Sequence, residues 1–314
     1  MEKISGVKKD GQFRYTWFVS SLFSITSFYA FVPLDEADLG SLKSELLVFG
    51  TDHALRGLTL IATEGINATV CGTAEAVGEW KAFLTEKFGS IAFKDSGAGR
   101  NVFRRWSVKI KPEIVALKNT AIRPNGRRNH LSPEAWSAAI KREDVLVVDA
   151  RNSYEFSIGK FRGAIDSGTD CFGEFPAFVE KAKLPKDKKI LLYCTGGIRC
   201  EKALLAMEEQ GFENVYQLEG GILAYLEKFP HAEFEGECFV FDHRVAVDQN
   251  LRPSQVYGLC PHCGLAGSIR ITCRCGKSGF VCAECDEDPL HRTCSKRCRN
   301  EQRHAPLVTS RPPL

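Results

Sequence analysis

No stretch of this 314-residue chain offers the roughly 20 uninterrupted apolar residues that span a bilayer, so no membrane partner is expected. The first residues, with Lys3, Lys8, Lys9 and Asp10, lack the apolar core and small-residue cleavage site of a secretory signal, and a cytoplasmic location is expected. Net charge is scarce as well. The total of +3 is too small to imply a polyanionic partner, so only the placement of the basic residues can. Also missing are a flavin or nicotinamide motif, a haem pattern and a two-histidine–one-carboxylate iron signature. Apolar residues, at 44%, suffice for real cores and exclude global disorder. The length suits two or three domains.

Cysteine is what the chain has in excess, with 13 residues. Cys71, Cys171, Cys194, Cys200 and Cys238 are scattered, and the other eight fall between Cys260 and Cys298. In a long chain without an export signal thiols stay reduced, and such a cluster reads as metal binding before disulfides. The eight form four close pairs: Cys260 with Cys263, Cys273 with Cys275, Cys282 with Cys285, and Cys294 with Cys298. A short pair supplies two of the four tetrahedral ligands that zinc takes. One or two closed structural zinc ions are therefore expected, with sequential and cross-braced pairings both open. His262 and His291 are spare ligands, and an iron–sulfur cluster suits the same donors.

Apolar periodicity divides the rest. Strands are expected over 28–34, 57–61, 65–70 and 104–111, and helices over 39–49 and 74–88. The order strand, helix, strand pair, helix, strand suggests a small α+β domain of ferredoxin-like type over residues 1–115. Residues 116–130 read as a basic linker. Ser132, as N-cap before Pro133, opens a second pattern over 131–232. Its short apolar strands at 145–148, 190–193 and 215–218 alternate with helices, as in a parallel α/β sheet. Residues 233–303 lack periodicity and form a cysteine-rich, metal-stapled module, and 304–314 read as a disordered tail.

The strand at 190–193 runs straight into Cys194-Thr195-Gly196-Gly197-Ile198-Arg199. Open α/β sheets place their sites at the carboxyl ends of strands. Thr195, Gly196 and Gly197 let the backbone curl so that N–H groups point inward. The next helix adds its positive end and Arg199 a full charge. Together they favour Cys194 as a thiolate, the catalytic candidate, in a cradle for an anion or a terminal sulfur formed by Thr195, Gly196, Gly197, Ile198 and Arg199. Phosphatases of related design place five residues between Cys and Arg, whereas four stand here, a ring better sized for persulfide sulfur than for phosphate. Cys200 is a candidate resolving thiol or a buried helix cysteine.

Between Arg100 and Arg128 stand nine basic residues and one acidic residue, Glu113. Arg100, Arg104, Arg105, Lys109, Lys111, Arg123, Arg127 and Arg128 are candidate RNA contacts, with Phe103 and Trp106 interleaved as candidate stacking rings. A solvated strand face and linker is the alternative.

Asp149-Ala150-Arg151, Tyr154-Glu155-Phe156 and Gly159 to Ile165 resemble the first half of a rhodanese domain. Cys194 to Arg199 and Glu219-Gly220-Gly221-Ile222 resemble its second half. The run from Tyr193 to Ala203, with Ala62-Thr63-Glu64-Gly65-Ile66-Asn67 in the first domain, is similar to the rhodanese-containing tRNA uridine hydroxylases. That resemblance implies an acylphosphatase-like first domain, a rhodanese domain and a cysteine-rich end. It implies oxygen-dependent conversion of wobble uridine 34 of tRNA to 5-hydroxyuridine, with molecular oxygen as co-substrate and the tRNA anticodon region as partner. It also implies a persulfide-forming role for Cys194 and, for the turn at 63–67, a place on the rim of the cleft. A sulfurtransferase moving thiosulfate or persulfide sulfur without RNA is the alternative. A non-enzymatic RNA-binding protein is disfavoured by the intact loop.

Overall fold

The computed structural model describes residues 22–126 and 129–303. Arg127, Arg128 and the tail from 304 lie outside them.

The first unit is a five-stranded sheet with two helices. Its elements are β1 (Phe23–Phe31), α1 (Leu39–Asp52), β2 (Arg56–Ala62), β3 (Gly65–Gly72), α2 (Ala74–Phe88), β4 (Lys94–Ala98) and β5 (Trp106–Ile110). The strand order is β4-β1-β3-β2-β5. α2 starts at Thr73, whose side-chain oxygen accepts from the Ala76 N–H, leaving fewer orphan donors at the helix start. The helices bury Leu42, Leu46, Val77, Trp80 and Leu84 against Phe28, Ile61, Ile66 and Val70 of the sheet.

Two expectations are corrected here. β1 begins at Phe23 rather than residue 28, because Ile25 and Thr26 are buried with the strand. The strand that closes the ferredoxin-like pattern beside β1 is β4. Its sequence, Lys-Asp-Ser-Gly-Ala, buries only Ala98 and gives no alternating apolar signal. The strand read at 104–111 is a further edge, β5, parallel to β2. Val108 on it is buried, whereas Ile110 is exposed.

The second unit is an α/β sheet, order β6-β11-β10-β7-β9, in which every pairing is parallel. Its chain order is β6 (His130–Leu131), α3 (Pro133–Ala139), β7 (Val145–Asp149), α4 (Ser153–Ile158), β8 (Gly159–Phe161), β9 (Ile165–Asp166), α5 (Phe175–Lys181), β10 (Lys189–Tyr193), α6 (Ile198–Glu209), β11 (Val215–Leu218) and α7 (Gly221–Lys228). Helices cover both faces, so the central strands are apolar runs rather than alternating ones. Ile190 and Leu192 pack on one face against Ala203, Leu204 and Met207. Leu191 and Tyr193 pack on the other against Trp136, Ile222 and Tyr225. Leu117 and Ile122, within the segment read as a linker, belong to the first of these cores.

Downstream, β12 (Phe234–Gly236) pairs with β8. Phe234, Cys238, Val240 and Val247 enter the second core. From about 258 onward short hairpins and turns surround the eight clustered cysteines, and the pairing Ile269–Thr272 with Ser278–Val281 is the longest of them.

Candidate active site

β10 delivers Cys194 to the carboxyl end of the sheet, and α6 begins four residues later. The side chain is 1% exposed. The Gly197 N–H donates to its Sγ at 3.1 Å. Gly197 has φ of +101°, and a Cβ there would stand 2.9 Å from the Tyr29 hydroxyl. Glycine is therefore required both by conformation and by contact. The start of α7 closes the loop from below. Ile222 and Leu223 N–H groups donate to the carbonyls of Cys194 and Thr195 at 3.0 and 3.2 Å. Gly221 makes this fit, since a Cβ there would meet the Cys194 carbonyl oxygen at 2.5 Å.

Burial alone would push the Cys194 thiol up. The Cys200 thiol hydrogen-bonded to it, the Arg199 charge and the Cys200 and Arg199 backbone N–H groups outweigh burial and hold it at about 6. Cys200 is pushed well above the ordinary thiol range by burial and by its bond to Cys194. The two sulfurs are thus neighbours with opposite protonation, an anion and the thiol that donates to it. Burial also raises Cys238, to about 12.

Arg199 is buried, and its guanidinium is engaged at both ends. Its Nη1 and Nη2 each reach a Glu155 carboxylate oxygen at 2.7 Å. Glu155 is set in place as the third residue of α4, where its carboxylate also accepts from the Asn152 N–H at 3.2 Å, the reciprocal arrangement of a capping box. Burial works against the Glu155 carboxylate, and Arg199 nonetheless keeps it below its usual range. Thr195 donates to Glu155 at 3.5 Å. Over this pair lie Phe239, Tyr154 and the exposed ring of Phe241, with the Arg199 guanidinium 5.6 Å from the Phe241 centroid.

The first unit also reaches the loop. Tyr29 of β1 donates to Glu201 at 2.9 Å. The same carboxylate group takes His130 at 3.0 Å and Gln217 at 3.1 Å. Burial and Glu201 push the Tyr29 phenol up, so it stays a neutral donor. One residue further along α6, Lys202 is fully buried. Its ammonium meets Glu64 at 2.7 Å and Glu113 at 2.6 Å. Glu64 lies in the turn at 63–67 and also accepts from the Ile114 N–H at 2.7 Å. The physical role of that turn is thus a buried ionic clamp between the two units. A Cβ on Gly65 there would collide with the Ala30 carbonyl oxygen, and Asn67 donates to the Ile114 carbonyl.

The described members of the basic set, Arg100, Arg104, Arg105, Lys109, Lys111 and Arg123, are all exposed. Phe103 and Trp106 are not free stacking rings. Phe103 packs on the cluster of Ile25, Ala98 and Val102, and Trp106 stands edge-on to Trp80 in the main core. His243 sits beside Arg104 and Arg100, where burial and their charges lower its pKa.

Eight cysteines gather into two groups, Cys260, Cys263, Cys282 and Cys285, and Cys273, Cys275, Cys294 and Cys298. Within each group all four sulfurs lie within 4.8 Å of one another. First pair joins third and second joins fourth, which is the cross-braced pairing. Sulfurs bound tetrahedrally to one zinc at ~2.3 Å stand about 3.8 Å apart. The separations of 3.5 Å for Cys263–Cys282 and Cys275–Cys294, and 3.7 Å for Cys294–Cys298, match that spacing. Each group could hold a metal ion. His262 and His291 stand outside both groups. Their rings stack at 4.5 Å, and His262 is bonded to the Thr293 carbonyl.

Three family descriptions match in succession: a UPF0176 acylphosphatase like domain over residues 23–114, a rhodanese-like domain over 132–228 and a rhodanese C-terminal domain over 235–299. A tRNA uridine(34) hydroxylase of Bdellovibrio bacteriovorus is 44% identical over 281 residues, covering 87% of this chain and 80% of the relative. The chain belongs to the tRNA uridine(34) hydroxylase family. A Wolbachia pipientis member of that family is 39% identical over 267 residues, covering 84% of this chain and 96% of its own. Among solved structures, the rhodanese-like domain of an Anabaena protein is 19% identical, with a TM-score of 0.30, over 35% of this chain and 80% of its own. The family run from Tyr193 to Ala203 therefore contains both the thiolate loop and the two residues, Glu201 and Lys202, that lock the first unit onto it. Tyr29 lies in no local motif, and Glu155, although within the rhodanese-like run Tyr154-Glu155-Phe156, is given no role by it. Tyr29 is found only by folding β1 onto α6, and Glu155 only by closing α4 onto the loop.

Proposed function

We propose that this protein hydroxylates wobble uridine 34 of tRNA to 5-hydroxyuridine, with molecular oxygen as co-substrate and the Cys194 sulfur as the reacting group. The observation that carries the reading is a buried cysteine held as an anion, in a chain aligned over most of its length with tRNA uridine(34) hydroxylases. Thr195, Gly196, Gly197, Ile198 and Arg199 enclose the sulfur, and the four-residue spacing supports a persulfide rather than a phosphate. Arg199 and Glu155 hold the loop in shape, and Cys200 donates to the anion. Cys194 is nearly inaccessible, so uridine 34 must leave its stack to reach it, as targets of base-modifying enzymes do.

Arg100, Arg104, Arg105, Lys109, Lys111 and Arg123 are assigned to the phosphates of the anticodon region, with Arg127 and Arg128 extending the set. Each four-cysteine group is assigned one zinc, which would supply structural cross-linking, because four thiolates leave no open coordination position. Among the described residues no helix is long and apolar enough to cross a membrane, and the tRNA substrate points to the cytoplasm.

Mass spectrometry of tRNA nucleosides from a deletion strain, complemented with the wild type or with Cys194→Ala, tests the reading. 5-Hydroxyuridine is expected only with the wild type. Its persistence in the deletion strain would overturn the reading in favour of sulfur transfer without RNA.

A further inference from the structure

Lys94 is the first residue of β4, on the edge of the acylphosphatase-like sheet. Its side chain does not lie along its own sheet but crosses to the rhodanese loop. Its Cδ stands 4.0 Å from the position a Cβ on Gly196 would take, and its Cε 3.8 Å from that of Gly220. The aliphatic stem therefore runs between the two glycine turns that frame Cys194, and the ammonium ends over the Tyr29 ring, 4.9 Å from its centroid. Lys94 is partly buried. Among the described residues it forms no ion pair or hydrogen bond with a carboxylate.

That isolation sets it apart from the other cations of the site. Arg199 is matched by Glu155 on both arms. Lys202 is matched by two glutamates. Arg151 is forked onto Asp149. Glu201, the carboxylate whose charge reaches Lys94, has its oxygens taken by Tyr29, His130 and Gln217. Enclosure draws the Lys94 pKa down, and the Cys194 and Glu201 charges act the other way. A partly buried, unmatched ammonium is costly unless an anion compensates it.

We propose that Lys94 is a positioning residue of the active centre, contributed by the first domain: its ammonium, carried past the Gly196 and Gly220 turns, stabilises the negative sulfur of Cys194 in addition to Arg199. The acylphosphatase-like domain is thereby part of the reaction centre and not only a carrier of RNA contacts. This deepens the proposed role of Cys194 and rests on it.

The groups whose charge or hydrogen bonds act with Cys194 are Arg199 and Cys200 from α6, Tyr29 and Lys94 from the first sheet, and Cys238, with Glu155 behind Arg199 and Glu201 beside Tyr29 and Cys200. The test is the pH dependence of Cys194 alkylation by iodoacetamide in the full-length protein, read on the Cys194 peptide by mass spectrometry. The parent is expected to titrate near 6. Lys94→Met keeps the stem and removes the charge, and it should raise the midpoint by about one pH unit, a roughly fivefold loss of rate near pH 6. Lys94→Arg should restore most of it. Lys188→Met, an exposed lysine outside both the loop and the basic set, should leave the midpoint in place, and tRNA filter binding by Lys94→Met should stay within about twofold of the parent. If Lys94→Met unfolds, shown by its melting curve, the midpoint is read on Lys94→Gln instead. A parent midpoint near 6 that charge removal leaves unmoved overturns the role of Lys94 alone. A parent midpoint near the ordinary thiol value overturns the thiolate reading together with it.

Discussion

The rhodanese loop and the cysteine-rich end use one residue type for two purposes, and the difference lies in the neighbours. Each of the eight clustered cysteines has three other sulfurs within 4.8 Å. Four negative sulfurs so close together are tolerable only around a cation. Cys194 has Cys200 beside it, which remains a thiol and donates to it. The charge of Cys194 is stabilised by backbone N–H groups, the Cys200 thiol and the Arg199 guanidinium. Cys71, Cys200 and Cys238, where burial outweighs the weaker help of N–H groups and cations, are all pushed up. Burial alone makes a cysteine inert, and it is the dipoles and charges aimed at it that make it reactive.

That contrast can be broken most directly by exchanging the consequences of mutation. Cys194→Ala should abolish 5-hydroxyuridine while leaving two zinc ions per chain. Cys282→Ser should lower zinc to about one per chain by elemental analysis. Loss of metal from the first variant, or full metal in the second, would merge the two regions into one system.

The next largest effect concerns the clamp beneath the loop. Lys202→Met leaves Glu64 and Glu113 buried without their cation, which should cost about 3–5 kcal/mol in denaturant-monitored stability. A drop of less than about 1 kcal/mol would mean that the two units do not depend on this triad.

The pH response sharpens the comparison further. The folded state lowers the Cys194 pKa, so its reactive form builds up as pH rises through about 6. Iodoacetamide should label it at pH 7, where Cys200 stays unmodified. The clustered cysteines should become reactive only after chelation. Labelling of Cys200 ahead of Cys194 would reverse the assignment of anion and donor.

The smallest effect belongs to the exposed basic set. Charge reversal at Arg104, Arg105 and Lys109 should weaken tRNA binding and reduce the salt slope by about one for each phosphate no longer neutralised. An unchanged slope in a salt titration would remove these residues from the RNA face.

The linear pattern carried a great deal. Apolar runs ending at a cysteine and a glycine turn identify a parallel α/β sheet with its site at the strand end, because local backbone geometry and burial on both faces demand those residue types. Thr73 and Ser132 mark helix starts because a side-chain oxygen must satisfy free N–H groups nearby. Four close cysteine pairs mark candidate metal ligands, because the donors of one knuckle must be near in sequence. The polar edge strand β4 was invisible, since an edge buries one residue and leaves no period to read. Phe103 and Trp106 looked like stacking rings only because sequence does not say which face of a strand is covered.

What required the tertiary structure is every relation between distant charges. The cross-braced choice of cysteine pairs, the Glu155 fork on Arg199, the glutamates around Lys202 and the approach of Lys94 and Tyr29 to Cys194 join residues 19 to 172 positions apart. Electrostatic interactions act through space and follow no periodicity along the chain. Sequence could therefore single out Cys194 and the clustered thiols as candidates, while only the packing of one domain on the other decided which charges surround Cys194.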